Sequence, residues 1–291
     1  MRKFYQTVTS LGYVQAAPLP SVEELEQHYS NKYYQLPSGS YSKTYTEEEI
    51  RYFFNIAKVA IRTVERFNSG NMSLLDLGCG EGFFSSAFLK VNWNVLCCDF
   101  SKFGVSEHNP ELLPFFQEGN LLQTVASLTA QRKHFGLINL QNVLEHVLSP
   151  EDLLISLHGL MNDDSILRIR VPNDFSDFQT ELLNKGLSEN TWFSPPEHLS
   201  YFNRDNLINT LNACDYSLIS LQIDFPIELY LTNPHSNYWK DRSLGKAAHL
   251  SRIFCENFLI NKNIDHYIDY SEAAGKLGFG REIIAYAKKK K

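Results

Sequence analysis

Glycine stands at every second position in the middle of residues 74–84, Leu-Leu-Asp-Leu-Gly-Cys-Gly-Glu-Gly-Phe-Phe, between a short apolar run and a helical pattern. Without a Cβ, Gly78, Gly80 and Gly82 can adopt positive φ and let a ligand lie directly on the main chain. A bare strand-to-helix turn would use the same residues, but three spaced glycines carry an entropic cost that a bound cofactor explains. A dinucleotide loop reads G-x-G-x-x-G and seats a pyrophosphate on the helix N-terminus. Here the third glycine comes one residue early, and Asp76 and Glu81 put two carboxylates where the pyrophosphate would lie. A cationic cofactor escapes that repulsion, which disfavours an NAD-type oxidoreductase. The second apolar strand ends in Asp99, 23 residues after Asp76, at the interval where a carboxylate reaches ribose hydroxyls. Phe100 follows, with a ring suited to an adenine face.

Proton chemistry points to histidine, the side chain that titrates nearest neutral pH. Two Glu-His pairs stand out, Glu145-His146 and Glu197-His198. His146 is the first candidate for a general base and His198 the second. The alternative is that both rings brace loops through hydrogen bonds to the backbone. Glu145 and Glu197 would orient the rings or meet substrate hydroxyls.

With these residues the chain resembles the class I S-adenosylmethionine-dependent methyltransferases, over residues 46 to 225 and again at the terminal strand. The resemblance implies that Asp76, Gly78, Cys79, Gly80 and Gly82 contact the methionyl part and ribose of S-adenosylmethionine, and that Asp99 holds the ribose. Asn120 falls where the family usually has an Asp on the adenine amino group, a departure in this chain. Gln141 adds to the cofactor set. The run Asn-Leu-Gln-Asn-Val-Leu-Glu-His-Val at 139–147 resembles the fourth-strand motif of a subgroup that includes ubiquinone-biosynthesis O-methyltransferases and bacterial sugar and natural-product methyltransferases. Val171-Pro172-Asn173 and Pro-Glu-His-Leu-Ser-Tyr-Phe at 196–202 are typical of it too. What this implies is methyl transfer to a hydroxyl of a small, sugar-like or natural-product acceptor, with Glu145, Asn173, Trp192 and Glu197 as substrate contacts. Transfer to nitrogen or carbon is the alternative within the fold, and an inactive cofactor-binding scaffold the alternative outside catalysis.

Composition bounds the reading. The 291 residues are 43% hydrophobic and 21% charged, which suits a globular chain. The net charge of −6 and scattered basic residues argue against nucleic acid, and the lysines at 288–291 read as a solvated terminus. No apolar stretch has the length of a membrane span or signal core. Five cysteines, two of them adjacent at Cys97 and Cys98, and nine histidines without ligand spacing predict a reducing cytoplasm and no metal. Oligomeric state is not legible.

To position the site, strands are expected near 74–77, 95–98, 135–140, 166–171, 217–223 and 282–287, alternating with helices. That pattern is α/β: a Rossmann-like, doubly wound, mostly parallel sheet with helices on both faces. Residues 1–45 form an N-terminal extension, with Ser21 and Glu24 capping a short helix and Tyr29, Tyr33 and Tyr34 beyond it. It is either a strap on the core or a flap over the substrate. The methyltransferase-like domain runs from 46 to 291, with insertions at about 174–204 and 226–280 expected to carry specificity. Thr46 with Glu49 forms a capping box, and Ser149-Pro150-Glu151-Asp152 is a helix start.

Overall fold

The computed structural model describes residues 3–25, 44–67 and 70–290, so Tyr29, Tyr33 and Tyr34 lie outside the described residues. In chain order the elements are β1 (Tyr5–Val8), β2 (Val14–Ala17), α1 (Glu47–Glu65), β3 (Ser73–Leu77), α2 (Phe83–Lys90), β4 (Asn94–Asp99), α3 (Phe103–His108), β5 (Phe116–Glu118), α4 (Leu121–Ala130), β6 (Phe135–Gln141) and α5 (Pro150–Ser156). There follow β7 (Met161–Pro172), α6 (Asp177–Asn184), β8 (Ser200–Tyr201), α7 (Arg204–Ala213), β9 (Tyr216–Ile223), α8 (Gly245–Lys262), α9 (Ile264–Lys276) and β10 (Glu282–Lys289).

Seven strands form the central sheet in the order β5-β4-β3-β6-β7-β10-β9. Neighbours from β5 to β7 run parallel, and β10 is antiparallel to both β7 and β9. All six anticipated strands are present, while short β5 escaped the sequence pattern. Side-chain parity divides the core in two. Leu75, Ile138, Leu167 and Ile283 face one side, packed with Leu128, Leu154 and Leu211 of α4, α5 and α7. Leu74, Leu137, Ile166 and Ile284 face the other, against Ala60 and Val64 of α1 and Phe84 and Phe88 of α2.

Local signals set the helix starts. The Thr46 hydroxyl accepts from the Glu49 amide and the Glu49 carboxylate accepts from the Thr46 amide, which closes the capping box of α1. The Ser149 hydroxyl caps α5, with Pro150 first in the helix and Glu151 and Asp152 in its positive first turn. No described helix is long and apolar enough to cross a membrane.

The N-terminal extension is a strap in its first part. The β1–β2 hairpin adds β8, from the first insertion, as a third strand, with Val14 opposite Tyr201 and Gln15 opposite Ser200. Buried Tyr13 packs at a tilt against Phe202 at 4.9 Å and donates to the Glu151 carboxylate at 3.0 Å. The second insertion is part of the wall of the fold. Asn55 of α1 donates to Asn257 of α8 at 2.9 Å, and Arg62 and Arg66 of α1 both reach Asp265 of α9 at 2.9 Å. Residues 226–280 therefore cover helix and sheet surface and cannot be cut away without exposing it.

Helix α9 approaches β9 closely at Gly275, where a Cβ would meet the Leu221 carbonyl oxygen at 2.5 Å. Helix propensity favours Ala by about 1 kcal/mol, but an overpacked contact against backbone costs about 1–3 kcal/mol. Gly275→Ala is expected to lower the urea midpoint; an unchanged midpoint would show that α9 can slide off β9 at no cost.

Candidate active site

The strand order reverses between β3 and β6, and the carboxyl ends of β3, β4 and β6 open a crevice there, where ligands bind in open α/β sheets. The loop after β3 is pinned to β4, since the amides of Gly78 and Cys79 both donate to the Cys98 carbonyl, at 2.8 and 3.1 Å. Its glycines at 78, 80 and 82 have φ of 75°, 55° and 80°. A Cβ on Gly78 would come within 2.5 Å of a Val143 methyl, and one on Gly82 within 2.6 Å of Leu112. Glycine is thus required at 78 and 82 for the turn and for packing.

The Gly80 amide donates to Asp99 Oδ2 at 2.8 Å, and the Ser101 amide reaches Oδ1 at 3.4 Å. Burial pushes the Asp99 carboxyl above its ordinary range, against the pull of these backbone amides. The crevice, about 400 Å³, is lined by Gly78, Asp99, Phe100, Asn120, Asn142, Val143 and His146, with Val22 and Leu25 of the N-terminal extension at its rim.

At the other end of the crevice, a short 3-10 turn, Leu144–His146, follows β6. The Leu199 amide donates to the Glu145 carbonyl at 2.8 Å, docking the first insertion on this turn. His146 Nδ1 lies 2.6 Å from the Glu197 carbonyl oxygen. A carbonyl only accepts, so Nδ1 carries the hydrogen and Nε2 of the neutral ring holds the lone pair. Nε2 is 3.8 Å from Glu145 Oε1, and the His198 ring stands edge-on to His146 at 4.8 Å. The Glu145 carboxylate is 2% exposed, and neither oxygen has a hydrogen-bond partner among the described residues. Burial raises its carboxyl well above the ordinary range.

His146 faces the cofactor crevice, whereas His198 lines a second cavity of about 230 Å³ with Trp192, Glu228, Tyr238, Trp239, Arg242 and Arg281. The two rings, one from each cavity, are 4.8 Å apart.

Residues 48–221, more than half of the chain, match the methyltransferase-domain family. The chain belongs to the class I S-adenosylmethionine-dependent methyltransferases. Its cofactor is S-adenosylmethionine. No curated protein matches it by sequence. Among solved structures, a SAM-dependent methyltransferase from Archaeoglobus fulgidus is 17% identical with a TM-score of 0.50, covering 91% of this chain and 99% of its own. The plantazolicin methyltransferase BpumL, solved with S-adenosylhomocysteine, is 15% identical at a TM-score of 0.52, with 92% and 98% covered. The 1,6-didemethyltoxoflavin-N1-methyltransferase of Burkholderia thailandensis is 14% identical at 0.52, with 98% and 99% covered. These likenesses describe the fold.

In this methyltransferase several sequence-derived site residues serve other ends. Asp76 is 1% exposed and does not line the crevice. It sits on the α2 face of the sheet, where Oδ2 accepts from Ser85 at 2.6 Å and Oδ1 from Asn139 at 2.7 Å, so it supports the loop from below. Gln141 is likewise drawn sideways, its Oε1 accepting from Arg168 at 3.2 Å. Cys79 packs into the α2-side core rather than toward the crevice. Asn173, expected at the substrate, is buried and donates to the carbonyls of Gly278 and Gly280 at 2.9 Å each, tying the end of β7 to the entry of β10, while its Oδ1 has no hydrogen-bond partner among the described residues. Glu197 acts through its backbone carbonyl on His146. Asn120 lines the crevice, but its Oδ1 accepts from the Leu122 and Gln123 amides as the N-cap of α4, which leaves the Nδ2 donor as the group to offer a ligand. Glu81 accepts from Tyr45 at 2.7 Å and lies 3.5 Å from His108, so its charge faces away from solvent and into a built contact.

The sequence reading missed Arg168. Its buried guanidinium donates to Asn139 at 2.6 Å and to Gln141, and lies over Phe84 at 4.7 Å, organising the ends of β3 and β6 beneath the loop. Position 168 alternates with the apolar residues of β7, and that parity was the available signal.

Proposed function

We propose that this methyltransferase transfers its methyl group to a hydroxyl of a small-molecule acceptor held in the second cavity, with His146 activating that hydroxyl. The observation that carries the reading is the His146 ring, which lines the cofactor crevice with Nδ1 fixed on the Glu197 carbonyl and stands 4.8 Å from the ring of His198 in the second cavity. S-adenosylmethionine, when bound, supplies a methyl group on a sulfonium, which an acceptor oxygen takes in line as the carbon–sulfur bond breaks. The protein contributes alignment, exclusion of water and a place for the hydroxyl proton at Nε2. The Asp99 carboxylate is poised for the ribose diol and Phe100 for the adenine face. Trp192, Tyr238 and Trp239 supply flat apolar walls, and Glu228 and Arg281 polar edges, a combination suited to a sugar-like or polycyclic natural-product ring. All five cysteines are free, which fits a reducing cytoplasm.

Asp99→Ala removes charge-assisted bonds to ribose worth about 1.5–3 kcal/mol each. The affinity for S-adenosylhomocysteine should fall more than about tenfold with little change in apo melting temperature, and NAD should bind neither protein. Calorimetry showing unchanged affinity would remove Asp99 from the cofactor site. For the acceptor, label from S-adenosylmethionine should appear as an O-methyl ether across a panel of glycosidic and phenolic compounds. Label found only on nitrogen would overturn the hydroxyl reading.

A further inference from the structure

We propose that Glu145, His146 and His198 form a binding site for a divalent transition-metal cation of the Zn²⁺ type, where His146 of the cofactor crevice meets His198 of the second cavity over the buried Glu145. Their ligand atoms lie within 4.8 Å of one another. In a tetrahedral zinc site with bonds of about 2.0–2.1 Å the ligand atoms stand roughly 3.3 Å apart, and Glu145 Oε1 and His146 Nε2 are already at 3.8 Å.

Two independent features point to an ion. Glu145 is buried with both carboxylate oxygens unsatisfied among the described residues, an arrangement costly to fold unless a cation or donor completes it. His146 has its Nδ1 hydrogen on a backbone carbonyl, the usual way a metal-ligating imidazole is held so that Nε2 is presented to the ion. A lone general base needs neither the buried carboxylate nor the second histidine beside it.

Two imidazoles and one carboxylate suit a borderline cation such as Zn²⁺ rather than Mg²⁺, which prefers oxygen ligands and retained water. Three protein ligands leave a fourth position open. The role of the ion, though not its binding, rests on the acceptor reading above: the open position would take the acceptor oxygen, whose proton passes to solvent water as the oxygen becomes the nucleophile. Nε2 then serves as ligand in place of proton acceptor.

Protein stripped with EDTA and titrated calorimetrically with Zn²⁺, without S-adenosylmethionine or acceptor, should bind one equivalent per chain. The affinity should fall at least tenfold in Glu145→Gln and in His198→Ala, while Mg²⁺ gives no saturable heat. Co²⁺ should show visible d–d bands without a strong near-ultraviolet thiolate band, which excludes the five cysteines as ligands. Absence of saturable Zn²⁺ binding, equal binding in both variants, or a thiolate band that survives them overturns the site. Circular dichroism of the ion-free variants controls for folding, and His198→Ala, at a cavity wall, carries the test if Glu145→Gln fails to fold. S-adenosylhomocysteine binding and methyl transfer on the same samples keep the two readings apart. Intact transfer without Zn²⁺ binding sinks the ion alone, and intact Zn²⁺ binding without O-methylation sinks the acceptor reading alone.

Discussion

Replacing His146 by Ala is expected to lower the turnover number by about 10²-fold or more while the affinity for S-adenosylhomocysteine stays within about twofold. The ring sits on the turn after β6, with Nδ1 held at 2.6 Å by the Glu197 carbonyl, and Nε2 is the atom proposed to act on the acceptor. That action, by lone pair or through a bound cation, is felt as the acceptor oxygen becomes a nucleophile and not when the cofactor binds. Gly78, Asp99 and Phe100, the residues proposed to meet the cofactor, line the same crevice as His146 but are separate groups, which is why affinity should survive. Single-turnover kinetics with labelled cofactor, beside calorimetry, separates the two quantities. A variant that keeps its rate would make the ring a brace for residues 197–199, and an amine acceptor, which needs no base, would become the better reading.

Gly80→Val should abolish measurable cofactor binding, a loss of about 10²-fold or more, in a protein that still folds. At φ of 55° a β-branched residue is strained by about 1–3 kcal/mol. The larger effect is geometric. The Gly80 amide is one of the groups that hold Asp99 Oδ2, at 2.8 Å, so shifting this backbone displaces the carboxylate meant for ribose as well as filling the space above the loop. The strain alone is a modest fraction of a domain's stability, so the circular dichroism spectrum should be native while calorimetry with S-adenosylhomocysteine shows no heat. Normal binding by a folded variant would mean that the glycine serves the turn alone.

What the amino-acid sequence determined by itself is the set of features written over a few neighbouring residues. The glycine spacing, the acid at the end of β4, the Thr46–Glu49 capping box and the Ser149-Pro150 start all depend on backbone φ and on hydrogen bonds spanning about one helical turn, and all are found as read. The same holds for the parallel sheet, because apolar strands alternating with helices leave few topologies. Strand parity was legible too, though unused: Asp76 shares a face with Leu74, Asn139 with Leu137 and Arg168 with Ile166, so the polar trio had to meet under α2 instead of facing a ligand. Only the tertiary structure decided the rest. His146 meets the carbonyl of a residue 51 positions away, and β2 pairs with β8 with Val14 opposite Tyr201. Contacts at such separations have no local signature, since they depend on where packing sets down an insertion after its loop-closure entropy has been overcome. Asn173 shows the difference most plainly: its sequence neighbourhood resembles a substrate contact, and the approach of residues 278–280 turns it into a buried clamp. For the same reason nine histidines without ligand spacing in the sequence still yield, in the folded chain, two imidazoles beside one unpartnered carboxylate.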